Sequence, residues 1–193
     1  MAKNNDLPMM IFNRQQDFED WLEQNHESSE GIMLKIAKKD STISTVSYSE
    51  ALDCALCYGW IDSRKEKGDE ETWLQRFTPR KARSIWSKVN KERAEALIAN
   101  GRMKSSGYKV IEVAKQNGQW DSAYESQSKS NLPEDFASEL SKNNQAKEFY
   151  DMLDSRNKYA IMFRINNAKK QETRQKRIEQ FISMLERHEK IYP

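Results

Sequence analysis

The apolar residues of this chain change their period once, near Ser84, and that change sets what it can fold into. Before it, Ile32, Leu34 and Ile36 alternate with Met33, Lys35 and Ala37, the two-residue period of a strand with one buried face. After it, apolar positions recur every three or four residues, as in helices with one apolar stripe. A chain ordered in this way is α+β: a small antiparallel sheet with helices, followed by an all-helical C-terminal part. Its 193 residues suffice for one domain or two small ones, at about 100–200 residues each.

Local signals refine that outline. Leu7 to Phe12, broken by Pro8, reads as an edge strand. Asn13 is placed to cap a helix carrying Phe18, Trp21 and Leu22. Ser47-Tyr48-Ser49-Glu50 has the form of a capping box, and Gly59 stands where the helix it opens would end. Trp60–Arg64 and Thr72–Phe77 read as two strands of a hairpin around a charged connection, with Pro79 ending the second.

Beyond Ser84, Ser87 or Asn90 caps one helix and Ser105 or Ser106 the next. A polar, Ser-rich stretch follows from Gln119 to Leu132 and marks a boundary. Pro133 suits the first turn of a short helix. Further helices carry Ala146 to Leu153, Ser155 to Ala168, and Gln171 to Glu189. The expected division is an α+β unit over 1–84, a helical extension over 85–131 packed on it, and a C-terminal helical domain over 132–193.

Charged residues make up 32% of the chain and mean hydropathy is −0.97. The 10% of aromatic residues is too high for a disordered chain. No stretch approaches the roughly 18–20 apolar residues of a membrane span. The start, Met1 to Asp6, has no apolar signal core. These features predict a soluble, cytoplasmic, mostly helical protein.

The net charge of +2 implies no strong global attraction to nucleic acid, but the charges are unevenly placed. Six acids and no Lys or Arg fall between Asp17 and Glu30. From Arg80 to Lys104, eight basic residues stand against two acidic ones, net +6. From Arg164 to Arg177, six stand against one, net +5. Such segments attract anions locally, or they are solvated helix faces. Nucleic acid is therefore an alternative partner that the overall charge does not favour, and the acidic run is an alternative contact for cationic peptides.

Cys54 and Cys57 are spaced C-x-x-C but lie within an expected helix, so small buried hydrophobes compete with a redox pair or half a metal site. The only histidines are His26 and His188. No spacing makes a Walker loop, a dinucleotide fingerprint, H-E-x-x-H or G-x-S-x-G. No catalytic residue, metal or cofactor is expected from these motifs.

Residues 58–93 stand out, because three Trp, one Tyr and one Phe interleave with Arg76, Arg80, Lys81, Arg83, Lys88 and Arg93. Strand alternation puts Trp60, Asp62 and Arg64 on one face, where Asp62 can meet an arginine of the partner strand. Aromatic faces and guanidinium groups together suit an anion with a planar part, such as a nucleotide or a carboxylated peptide. The candidate ligand residues are Trp60, Asp62, Arg64, Arg76, Thr78, Arg80, Trp86, Lys88 and Asn90. Against this stands a plainer reading, in which the Trp residues are core and the Asp–Arg contact is structural. A metal-free enzyme with Asp62 as acid or base is a further alternative.

Several stretches carry a resemblance. They are Tyr58-Gly59-Trp60-Ile61-Asp62, Trp73 to Arg80, Ile85-Trp86-Ser87-Lys88-Val89-Asn90, Asn157-Lys158-Tyr159-Ala160-Ile161, and Ala168 to Ile178. On these the chain resembles the YdeI/OmpD-associated, or bacteriocin-protection, family of bacterial proteins, from about Phe18 to Pro193. Members of that family tend to have Gly at Ser63, Trp at Met33 and Pro at Gln171. Ser63 narrows the space beside Asp62, and Met33 removes a stacking surface. The resemblance implies an OmpD-associated-like domain over 132–193, a role in envelope or antimicrobial stress, and an envelope or porin-related partner. It implies no reaction and no cofactor, so no catalytic residue is carried over.

Overall fold

A computed structural model of the protein describes residues 7–124 and 132–193. The first six residues, expected to lack a signal core, and residues 125–131 of the polar stretch lie outside the described residues. The chain divides into two units between Ala123 and Tyr124. Each unit has its own apolar core.

The first unit is built on four strands: β1 (Met9–Met10), β2 (Ile32–Ala37), β3 (Trp60–Lys67) and β4 (Thr72–Pro79), ordered β1-β2-β4-β3. The three longer strands pair antiparallel, as the alternation predicts. At the edge, β1 adds a parallel pairing, Met9 with Met33. It is shorter than the run Leu7 to Phe12, since Pro8 has no N–H to give a ladder, although its carbonyl accepts from the Met33 amide at 2.9 Å.

Register decides which residues share a face. Ile32, Leu34 and Ile36 lie opposite Phe77, Gln75 and Trp73, and this face is buried, with Ile32, Leu34 and Phe77 at 0% exposure. It is covered from α1 (Gln15–Asn25), whose Phe18 and Trp21 rings meet Phe77 and Trp60. Helix α2 (Tyr48–Cys57) opens with the expected capping box: the Glu50 amide donates to the Ser47 hydroxyl and the Ser47 amide to the Glu50 carboxylate. Helix α1 differs from expectation. Its cap is Arg14 rather than Asn13, because Asp17 reaches back to accept from the Arg14 amide at 3.1 Å. In the β3–β4 turn, the Asp69 carboxylate accepts from the Thr72 amide and hydroxyl, both at 2.7 Å, and from Lys35 at 3.0 Å. The Thr72 and Lys35 donors hold that carboxyl well below the usual carboxylate range.

Two helices complete the unit, α3 (Lys88–Ala99) and α4 (Ser105–Gln116). Ser87, not Asn90, caps α3. Helix α4 starts after Lys104 rather than Ser105 or Ser106, since the Lys104 amide is drawn to the Cys57 carbonyl at 3.2 Å. Gly107 permits that approach of α4 to α2: a Cβ there would stand 2.4 Å from the Cys57 carbonyl oxygen.

The second unit contains α5 (Glu134–Ser141), α6 (Asn144–Met152), α7 (Ser155–Asn166) and α8 (Gln171–Glu186). Pro133 is the cap of α5 rather than a residue of its first turn, and α7 and α8 end two and three residues earlier than expected. Phe136, Ile165, Ile178, Phe181 and Leu185 form the centre of its core. Arg174 ties the start of α5 to the end of α7, pairing with Asp135 through two nitrogens and donating to the Ile165 carbonyl at 3.0 Å. Among the described residues, no helix is long and apolar enough to cross a membrane.

Candidate functional site

The loop that leaves β4 is tied to the rest of the unit by hydrogen bonds. The Arg80 amide donates to the Gly59 carbonyl at 3.0 Å. Lys81 and Ser84 exchange bonds across a turn, amide to hydroxyl at 2.9 Å and amide to carbonyl at 2.8 Å. The Asn117 side chain, just past α4, donates to the Ala82 carbonyl at 2.6 Å. Trp86 turns back beneath this loop with 3% exposure and meets Trp120 edge-on at 4.8 Å. The Arg80 guanidinium lies over the Trp86 ring, 3.6 Å from its centroid, and donates to the Ile85 carbonyl at 3.1 Å. Stacking of this kind fixes the orientation of a guanidinium.

Between this loop and α4 lies a solvent-open pocket of about 470 Å³. Arg80, Lys81 and Trp86 stand on the loop side, and Lys109, Val110 and Val113 on the helix side. Lys109 with Val113, and Val110 with Ala114, are four residues apart and form adjacent ridges of α4. Three cations and no carboxylate line the pocket among the described residues. An anion with an apolar part fits such a lining.

Of the nine candidate residues, the structure brings Arg80 and Trp86 together at this pocket. Trp60 is elsewhere: it is 1% exposed, edge-on to Trp21, and its indole N–H donates to the His26 carbonyl at 3.1 Å. Asp62 faces away from Arg76, because it lies opposite Phe77 in the register. Its carboxylate instead accepts from the Tyr48 hydroxyl at 2.8 Å. Arg64 does not share the face of Asp62, since a bulge between Asp62 and Lys65 sets Ser63 and Arg64 together against Arg76. Arg64 pairs with Glu66. Arg76 and Thr78 lie on the sheet face opposite the core, next to Met33 and Ile61. Lys88 and Asn90 stand in the first turn of α3, where the Asn90 amide donates to Ser87.

Lys109, Val110 and Val113 were not among the candidates. The available signal was α4 itself, whose Tyr108, Val110, Ile111, Val113 and Ala114 exceed what one stripe can bury. Val113 remains 40% exposed.

Many of the other charged and titratable groups have partners within the first unit. Much of the basic run serves the unit's own contacts: Arg93 and Arg102 reach Asp53, Lys104 reaches Glu19, and Lys91 lies over Trp120. In the acidic run, Asp17 pairs with Arg14 and Asp20 accepts from Gln16. The His26 ring packs tilted against Tyr58 at 5.2 Å, and the His188 ring against Phe149 at 4.8 Å. Among the described residues, no three His, Cys, Asp or Glu side chains gather to hold a metal. Cys54 and Cys57 are buried free thiols in α2, and burial pushes them up to about 12 and about 11. Both stay protonated near neutrality, and a protonated, enclosed thiol is inert. A thiol reagent such as DTNB at pH 8 is therefore expected to leave the native protein unmodified and to titrate two thiols once it is unfolded. Fast modification of the native chain would contradict this burial.

Comparison with known families gives two matches. A model described as a domain of unknown function (DUF8412) matches residues 10–110, inside the first unit, and one described as "Bacteriocin-protection, YdeI or OmpD-Associated" matches residues 129–188, inside the second. Searches of the curated proteins and of the solved structures return no match.

Proposed function

The chain belongs to the family of that domain of unknown function (DUF8412) and continues into a YdeI/OmpD-associated domain, and from this premise we propose that it is a non-catalytic binding module in bacteriocin protection. Its ligand is an anion with a planar apolar part, taken up between the 80–86 loop and α4. The observation that carries this reading is the Arg80 guanidinium stacked on Trp86 at the wall of a pocket that Lys81 and Lys109 also line. In this arrangement Lys81 and Lys109 meet the anionic group beside the stacked Arg80–Trp86 pair, and Val110, Val113 and Ala114 receive the apolar part. The envelope or porin-related partner implied by the resemblance belongs to the same proposal.

The test is a thermal-shift series on the full chain with benzoate, nicotinate and indole-3-acetate. A ligand at a hundred times its Kd stabilises the native state by about 2.7 kcal/mol. Lys81→Gln combined with Lys109→Gln should remove most of the shift. Both lysines are solvent-facing pocket residues, so the variant's own stability should stay within about 0.5 kcal/mol of the parent. No shift with any of the three acids, or a shift the double variant keeps in full, overturns the reading.

A further inference from the structure

The second unit has a groove of its own, which does not depend on the reading above. Its solvent-open space is about 750 Å³, lined by Arg164, Arg177, Phe181, Met184, Lys190 and Ile191 among others. Its three cations come from three separate segments. Arg164 lies in the last turn of α7, Arg177 in the middle of α8, and Lys190 on the segment that follows α8. No carboxylate lines the groove among the described residues. The ion pairs of this unit engage Lys142, Lys147, Arg174 and Arg187. None of the three groove cations is paired with a carboxylate among the described residues.

Each cation is positioned by neighbouring structure. Arg177 donates to the Arg164 carbonyl, one of the end-of-helix acceptors of α7. That bond uses one arm of its fork. The segment with Lys190 is clamped by Asn157, which is 1% exposed. The Asn157 side-chain oxygen accepts from the amides of Ile191 and Tyr192 at 3.1 and 3.0 Å, and its amide group donates to the Tyr192 carbonyl at 3.2 Å. The Tyr192 ring then lies beneath Arg156 and near Arg164, at 4.2 and 6.0 Å. The floor is apolar, with Phe181 only 3% exposed.

We propose that this groove binds a phosphomonoester that carries an apolar group. Two guanidinium forks and an ammonium bring three positive charges to one site. A phosphomonoester carries about −1.5 to −2 at pH 7 in a single group, so it meets that cluster more fully than one carboxylate does. Guanidinium forks match phosphate oxygens in pairs. The apolar group lies against Phe181, Met184 and Ile191. A free ester and a lipid headgroup share this chemistry.

The experiment is a titration of the full chain labelled with 13C-methyl methionine, since Met184 lines this groove and Met103 lies in the core of the first unit. The probes are phenyl phosphate, benzoate, and vesicles of phosphatidylcholine with or without phosphatidic acid. The Met184 methyl resonance should move with phenyl phosphate, move far less with benzoate, and leave Met103 unaffected. A response to phosphatidic acid vesicles alone assigns the headgroup as the source and still supports the site. Arg177→Gln with Lys190→Gln should weaken the phenyl phosphate affinity about tenfold or more, the loss of one or two charge-assisted contacts. Lys190→Gln alone leaves the Arg177 anchor to α7 in place, and should still weaken it severalfold. Silence of Met184 to every probe, an equal response to benzoate, or unchanged affinity in Lys190→Gln overturns the proposal. None of these outcomes bears on the first unit's pocket.

Discussion

Trp60→Ala is expected to destabilise the first unit by about 3–5 kcal/mol, the usual cost of deleting a large aromatic side chain from a core. The residue begins β3 at 1% exposure, packs against Trp21 at 5.8 Å and donates its indole N–H to the His26 carbonyl. Trp60→Phe keeps most of the apolar contact and leaves that carbonyl unpaired, so it should cost about 1–3 kcal/mol. Urea denaturation followed by circular dichroism reads both. Aromatic acid binding, tested on whatever Trp60→Phe protein remains folded, should be unchanged. If Trp60→Ala were as stable as the parent while binding was lost, the indole would belong to a ligand site and not to the core.

The second large effect is expected at Asn157. Its side chain makes four hydrogen bonds, to the amides of Ile191 and Tyr192, the Tyr192 carbonyl and Asp154. At about 0.5–1.5 kcal/mol net for each bond, Asn157→Ala should cost the second unit about 2–6 kcal/mol. The lower figure applies if the released segment recovers its bonds from water. Hydrogen exchange separates the outcomes: the Ile191 and Tyr192 amides should lose protection before α7 and α8 do. Phenyl phosphate binding should also weaken, because Lys190 rides on the released segment. Protection of both amides in Asn157→Ala would show that another contact holds the segment.

Legibility in the sequence follows the range of the forces involved. The Ser47–Glu50 box and the alternation of β2 were readable because each is decided within a few residues. The cap of α1 was misread because two local options competed there. Asn13 offered a side-chain cap, but the Asp17 carboxylate reaching back to Arg14 adds an ion pair to the bond. The cap of α4 was misread for a different reason. The Lys104 amide is held by Cys57, a residue 47 positions earlier that comes close only through Gly107.

The candidate site divides in the same way. Mixing of aromatic and basic residues over 58–93 singled out a stretch in which Arg80 and Trp86 meet at a pocket. Strand alternation alone, however, grouped Trp60, Asp62 and Arg64. One extra residue in the bulge moved Arg64 to another face, and the register set Asp62 opposite Phe77 rather than an arginine. Composition also could not say which indoles would be enclosed. That depends on which helix lies over each strand.

By itself the sequence determined the fold class, the order of strands and helices along the chain, and the YdeI/OmpD-associated domain of its C-terminal part. These follow from periodicity, capping and short patterns, which act over one turn or one strand. The tertiary structure alone decided which cations share a pocket. Lys109 joins Arg80 across 29 positions, and Lys190 joins Arg164 across 26. Side chains that far apart in the chain have no local interaction to record their meeting; only the packing of α4 on the first unit, and the Asn157 clamp in the second, brings them to one place.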